Sequence, residues 1–184
     1  AEVYVVAKPG RSIHFIQPTP KDVLKVKKAD VLIHGGLDLE VWRQPLLNAA
    51  GNSGFLGSSK RVIDASSRIP LLEVPDSLSR LEGDIHIFGN PHYWTDPENA
   101  QQMVRNIVEG LELLFPEKAV LYRANAERLL GKMDLAATGW AKALRPYYGT
   151  AFVTYHKSWP YFAKRFGFEI AGYIEPKPGI PPTA

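Results

Sequence analysis

Short apolar runs and helical periods alternate along the chain. Residues 3–7 (Val3, Tyr4, Val5, Val6, Ala7) are β-favouring and stop at the Pro9-Gly10 turn signal. Thr19-Pro20-Lys21-Asp22 predicts a helix start, with a hydroxyl cap, proline at the first position and an acid three residues after the cap, and this helix ends near Ala29. Residues 31–33 form the next predicted strand, residues 40–50 a helix stopped by Gly51, and residues 61–64 a third strand. Residues 65–90 are rich in turn signals and read as irregular, with a short extended piece at 85–87.

Asp96 and Pro97 then predict a firm helix start, and the helix runs to about Phe115. After Pro116 a second helical stretch reaches Leu144, with Leu130, Met133, Ala137, Trp140, Ala141 and Leu144 at three- and four-residue spacing. At about 1.5 Å per residue that stretch is about 40 Å long, enough to cross a domain. A strand at 151–155, a helix at 159–166 ending on Gly167 and a strand at 170–174 follow. Strands alternating with helices predict an α/β fold with parallel sheets. The expected division is an N-terminal α/β lobe (1–115), a connecting helix (116–145) and the start of a second α/β lobe (146–184). One strand–helix–strand cannot bury its own faces, so the second lobe is expected to be incomplete, with the chain cut at Ala184.

Composition narrows the chemistry. With 184 residues and ordinary apolar and charged fractions, the chain is long enough for one good core, or for two lobes sharing one. Cysteine is absent, which removes thiolate metal sites, disulfides and thiol catalysis. No apolar run approaches the roughly 20 residues that span a bilayer, and no signal peptide is visible, as in a mature or trimmed chain. The formal charge is +3, and its one basic cluster (Lys21, Lys25, Lys27, Lys28) lies on a short helix with an apolar opposite face. That pattern reads as a solvated face rather than a nucleic-acid patch.

Three histidines stand where apolar runs give way to helix starts: His14, His92 and His156. His92 lies on the stiff Asn90-Pro91-His92 turn just ahead of the Asp96 cap. In parallel α/β sheets, ligands bind at the carboxyl ends of strands, and neutral imidazole suits zinc better than calcium or magnesium. Each histidine taken singly also fits a hydrogen-bonded loop residue, and spacing alone leaves both readings open. His34 reads as a strand-end cap and His86 as a spare ligand.

Three motifs carry a family resemblance. The first is His14-Phe15-Ile16-Gln17-Pro18-Thr19-Pro20-Lys21-Asp22, with Ala29-Asp30-Val31 and Gly35-Gly36-Leu37-Asp38-Leu39-Glu40 after it. The second is Pro91-His92-Tyr93-Trp94-Thr95-Asp96-Pro97-Glu98-Asn99-Ala100, and the third is His156 with Tyr161-Phe162-Ala163 and Gly167. In this order they resemble the zinc/manganese solute-binding proteins of bacterial ABC importers, the TroA-like group. The resemblance implies two α/β lobes joined by one long rigid helix, with the metal between them. It implies His14 and His92 as ligands from the first lobe and His156 from the second. Histidine at the third position implies Zn²⁺ as cargo, with Mn²⁺ possible.

The family's fourth ligand, a carboxylate, lies beyond the stretch that this chain matches. The strand and helix that normally precede Val3, and the long histidine-rich loop of many zinc members, are also missing; residues 82–89 hold only His86, Glu82 and Asp84.

The resemblance implies a monomeric metal receptor, not an enzyme. It would sit in the periplasm or on the outer face of the cytoplasmic membrane and partner a membrane permease, with no nucleic acid involved. Two other readings stand beside it. A zinc hydrolase or lyase would need a base near the metal; no H-E-x-x-H pair is present, and Glu175, the one obvious carboxylate near the third motif, reads as a surface loop residue. An adhesin or interaction module is the third, because a fold does not fix its partner.

Overall fold

The capping box predicted at Thr19 forms. In the computed structural model, which describes residues 2–10, 12–57, 59–75 and 86–175, the Thr19 amide donates to Asp22 Oδ2 at 2.6 Å and the Thr19 hydroxyl accepts from the Asp22 amide. Helix α1 (Pro20–Lys27) follows, then strand β1 (Leu32–His34), helix α2 (Arg43–Ala50) and strand β2 (Val62–Asp64). The two strands pair in parallel, Leu32 opposite Val62 and His34 opposite Asp64. Val26 of α1, Leu46, Leu47 and Ala50 of α2, and Phe55 make the core that covers this sheet, with Trp42 and Val62 packed at its edge.

Three expectations need correction. Residues 3–7 form no strand: Val3 and Val5 are exposed, and among the described residues no ladder partner lies beside them. β-branching favours a pleated, half-buried surface and does not create one. The second helix begins at Arg43 rather than at 40, because the Glu40 carboxylate accepts from the Gly35 amide at 2.7 Å and Leu37 and Asp38 take left-handed φ values of 53° and 55°. Gly36 (φ 73°) sits in that turn with no room for a side chain, since a Cβ there would lie 2.2 Å from Ser66 Oγ. The extended piece at 85–87 is not seen where it can be described: Ile85 lies outside the described residues, and His86 opens a turn closed by the Gly89 amide on its carbonyl at 3.0 Å.

Helix α3 (Pro97–Leu114) starts on Asp96, whose carboxylate accepts from the Glu98 amide. A 3-10 turn (Pro116–Lys118) reverses the chain into helix α4 (Ala119–Leu144), whose 26 residues run antiparallel to α3. Gln101 donates to Asp134 at 2.7 Å near one end of the pair, and Arg123 forks onto Glu112 at 2.6 and 2.9 Å near the other. The apolar face expected on α4 is only partly covered. Leu130, Met133, Ala137 and Leu144 are half-buried, whereas Trp140 and Ala141 are exposed.

Strand β3 (Ala151–Thr154), helix α5 (Pro160–Phe166) and strand β4 (Glu169–Tyr173) form a second parallel pair. Its ladder continues past both strands, with the Ile174 amide on Thr154 and the Glu175 amide on Tyr155, each at 2.8 Å.

α5 is tied to the first half of the chain. The Tyr161 hydroxyl donates to the Asn90 carbonyl at 2.8 Å and accepts from the Leu72 amide at 3.0 Å. Ile69, Tyr93 and Tyr161 bury one another around that joint. Arg165 pairs with Asp96 at 2.7 Å and with Glu98. No helix among the described residues is long and apolar enough to cross a membrane.

Candidate metal centre

Each histidine of interest is held by its own local device. His14 lies on a turn, not at a strand end, and the neighbouring Ile13 carbonyl accepts from the Trp42 indole at 2.7 Å. His92 caps the 3-10 turn Tyr93–Thr95, and the following Tyr93, fully buried, donates its hydroxyl to the Gly35 carbonyl at 2.6 Å. His156 lies two residues past the end of β3. Its carbonyl accepts from the Thr154 hydroxyl at 3.0 Å and the Ser158 amide at 2.8 Å.

These devices bring His14, His92 and His156 together. One ring nitrogen from each lies within 4.8 Å of the others, and His14 Nε2 stands 3.0 Å from His92 Nε2. Zinc with Zn–N bonds of about 2.0–2.1 Å at tetrahedral angles needs nitrogens about 3.3 Å apart. One pair is therefore close to that spacing, and the third ring needs only a small approach. His14 and His92 are buried.

The outward nitrogens are fixed by partners. His92 Nδ1 faces Asn90 Oδ1 at 2.9 Å, and that same oxygen accepts from the His92 amide at 3.0 Å. The Asn90 amide nitrogen donates to Glu73 at 2.8 Å and to the Lys157 carbonyl at 2.9 Å, so its oxygen must be the atom that faces His92. His92 Nδ1 thus carries the proton and Nε2 keeps its lone pair.

His156 Nδ1 lies 2.5 Å from Glu175 Oε2, with both side chains mostly buried. His156 Nε2 is buried without a hydrogen-bond partner. An imidazole whose far nitrogen is anchored by a carboxylate or carbonyl, and whose near nitrogen is left bare, is the usual arrangement behind a metal ligand. The donor set fits a divalent transition metal.

Electrostatics keep His92 and His86 neutral. Burial, and then the neighbouring His14, His156 and His86, push the His92 imidazole down to about 2. Burial, and then His156, push His86 down to about 4. A neutral imidazole is the form that binds metal.

His86 lies beside the trio, its ring centroid 5.0 Å from that of His14. His34 lies apart, accepting from the Gly36 amide at 3.1 Å through Nδ1. An apolar cavity of about 330 Å³ between the start of α3 and α4, lined by Trp94, Pro97, Met133 and Trp140, lies outside this cluster.

Two residues escape a reading of the sequence. Glu175 is no surface loop residue: the register of the β3–β4 ladder places it beside His156 at the carboxyl ends of paired strands. Asn90 acts through an Asx turn onto the residue two further on, and Asn-Pro-His is the signal that could have revealed it.

Comparison with known proteins decides the family. The model of the family described as "ZnuA: Zinc-uptake complex component A periplasmic" matches residues 1–184. The chain belongs to this family. The iron-binding protein YfeA of Yersinia pestis is 30% identical over 171 residues, covering 92% of this chain and 51% of YfeA. The zinc-binding lipoprotein AdcA of Streptococcus pneumoniae is 26% identical over 189 residues, covering 100% of this chain and 36% of AdcA. The crystal structure of ZnuA superposes with a TM-score of 0.80 at 24% identity, covering 100% of this chain and 65% of that one. The chain thus spans about half of YfeA's length and about a third of AdcA's, and its α/β fold is that of ZnuA-type, TroA-like solute-binding proteins. The family is one of metal-binding uptake components rather than of enzymes.

Proposed function

We propose that this chain captures Zn²⁺ outside the cytoplasm, in the periplasm or on the outer face of the cytoplasmic membrane, and hands it as a monomer to the permease of an ABC importer. His14, His92 and His156 are the proposed ligands. The observation that carries the reading is the buried, partnerless Nε2 of His156, turned inward by Glu175 beside two other imidazoles. All three are nitrogen donors, which suit zinc better than the oxygen-seeking Mn²⁺. The relatives' names support a divalent metal as cargo: AdcA is called zinc-binding and YfeA iron-binding.

The proposed division into residues 1–115, 116–145 and 146–184 places two ligands before the connecting helix and one after it. Metal release then requires His156 to part from His14 and His92. Asn90, Tyr161 and Arg165 tie the two sides together and oppose a wide opening. The proposed motion is a small one of the His156–Glu175 strand ends.

Isothermal titration of the chain with Zn²⁺, with Mn²⁺ as competitor and with ester and bicarbonate turnover followed in parallel, tests the proposal. One-to-one zinc binding that excess manganese does not displace, without turnover, is expected. Metal-dependent turnover would favour the hydrolase reading, and no binding of either metal would remove the receptor reading for this chain.

A further inference from the structure

The turn that presents His92 is held from the other half of the chain. Asn90 is buried, and each of its polar groups is used. Its backbone amide donates to the Leu72 carbonyl at 2.8 Å, and its carbonyl accepts from the Tyr161 hydroxyl at 2.8 Å. Its side-chain oxygen serves His92, and its side-chain nitrogen donates to Glu73 Oε2 at 2.8 Å and to the Lys157 carbonyl at 2.9 Å. Leu72 and Glu73 precede the long helix α4 in the chain, whereas Lys157 and Tyr161 follow it, and all four meet at Asn90.

Leu72 and Glu73 complete the joint. The Leu72 amide donates to the Tyr161 hydroxyl at 3.0 Å, and Glu73 Oε1 pairs with Lys157 Nζ at 3.0 Å. Gly89 (φ 116°) lets the two backbones approach, because a Cβ there would lie 3.0 Å from the Leu72 carbonyl oxygen. Glu73 itself holds a left-handed φ of 54°, which costs a residue with a side chain conformational free energy. Such strain persists where the surroundings over-determine it, and it gathers at working sites. The two bonds of the Glu73 carboxylate are unequal. The Lys157 and Glu73 side chains are 43% and 31% exposed, so their ion pair contributes little. The charge-assisted bond to buried Asn90 is the stronger of the two.

We propose that Glu73 and Tyr161 are positioning residues that act on the metal through Asn90, making zinc capture and docking of the second half one coupled equilibrium. The proposal rests on the three-histidine reading above and deepens it. Asn90 aims His92 only while Glu73, Lys157 and Tyr161 hold Asn90 in place. Lys157 directly follows His156, so a His156 that moves away from His14 and His92 pulls on the carbonyl that Asn90 grips. Linkage makes the coupling reciprocal: whatever docking adds to zinc affinity, bound zinc adds to docking.

Zinc release into excess chelator, followed by stopped flow, tests the coupling, with melting temperatures of zinc-free and zinc-loaded protein measured alongside. Glu73→Ala is expected to release zinc about 10-fold faster, the low end for a lost outer-shell partner. Glu73→Gln keeps a carbonyl acceptor for Asn90 and should fall between, at about 3-fold. Tyr161→Phe keeps the packed ring and should speed release about 5-fold. Zinc should raise the melting temperature of Glu73→Ala and Tyr161→Phe less than that of the wild type. In the wild type it should also slow hydrogen exchange of the Leu72 amide, which reports the joint directly. Purely structural roles would lower both melting temperatures equally and leave release unchanged, and that result in the two variants overturns the proposal. A Leu72 amide indifferent to zinc overturns it as well. His92→Ala separates the two ideas. If it abolishes zinc binding while Glu73→Ala and Tyr161→Phe release zinc at the wild-type rate, the trio stands and the coupling falls. If it leaves binding unchanged, the underlying site assignment falls and the coupling with it.

Discussion

Glu175 makes a quantitative claim about the site. Its carboxylate lies 2.5 Å from His156 Nδ1, and its side chain is 11% exposed, so solvent does little to replace it. Glu175→Ala removes the acceptor and lets the His156 ring turn and exchange tautomers, which presents a protonated Nε2 to the metal for part of the time. Loss of an outer-shell partner of this kind costs about 10–100-fold in metal affinity. Glu175→Gln keeps a carbonyl acceptor but loses the charge. A charge-assisted bond contributes roughly 1 kcal/mol more than a neutral one, so about a 5-fold loss is expected. Competition for Zn²⁺ against a chromogenic chelator at pH 7 measures both variants, with circular dichroism to confirm folding. The expected order is wild type, then Gln, then Ala. Two folded variants that bind zinc like the wild type would refute the reasoning. So would an Ala variant as impaired as His156→Ala, because Glu175 would then act as a ligand and not as a support.

Two predictions concern the scaffold. Asn106, buried on α3, donates to the Ala65 and Ser67 carbonyls at 2.9 and 2.6 Å. Asn106→Leu strands both carbonyls and should cost about 2–4 kcal/mol, read as a lower urea midpoint at an unchanged slope. Asp22 titrates below its ordinary value. Burial alone would raise it, but hydrogen bonds from the Thr19 hydroxyl, Tyr4 and the Thr19 amide together outweigh that. A carboxylate depressed in the folded state stabilises above its unfolded value of about 3.9, and that stability is lost as pH falls through the lower folded value. Asp22→Asn should therefore be about 1 kcal/mol less stable than wild type at pH 7, the size of a helix cap, and the gap should close below about pH 4. A gap unchanged by acid would rule the ionised carboxylate out as its source.

Local chemistry made much of this fold legible. Thr19, Asp96, Gly51 and Gly167 punctuate helices in ways that need only their neighbours, and all four act where the sequence places them. Residues 3–7 were misleading because strand formation depends on a partner that β-propensity does not supply. The α2 start was misread because Glu40 turns back to Gly35 and does not enter the helix. The candidate site was legible as three histidine positions, since motif order carried them. Its supports were not, because Glu175 reaches His156 only through the parallel register of β3 and β4. Asn90 likewise links two halves of the chain through Lys157, a contact that only tertiary structure provides.

The central claim is that His14, His92 and His156 hold one metal ion together. Its most direct test is the zinc dissociation constant of His14→Ala, His92→Ala and His156→Ala, each measured beside the wild type at one pH. The account predicts one-to-one binding by the wild type and a sharp loss in each folded variant. Unchanged zinc affinity in all three would contradict it.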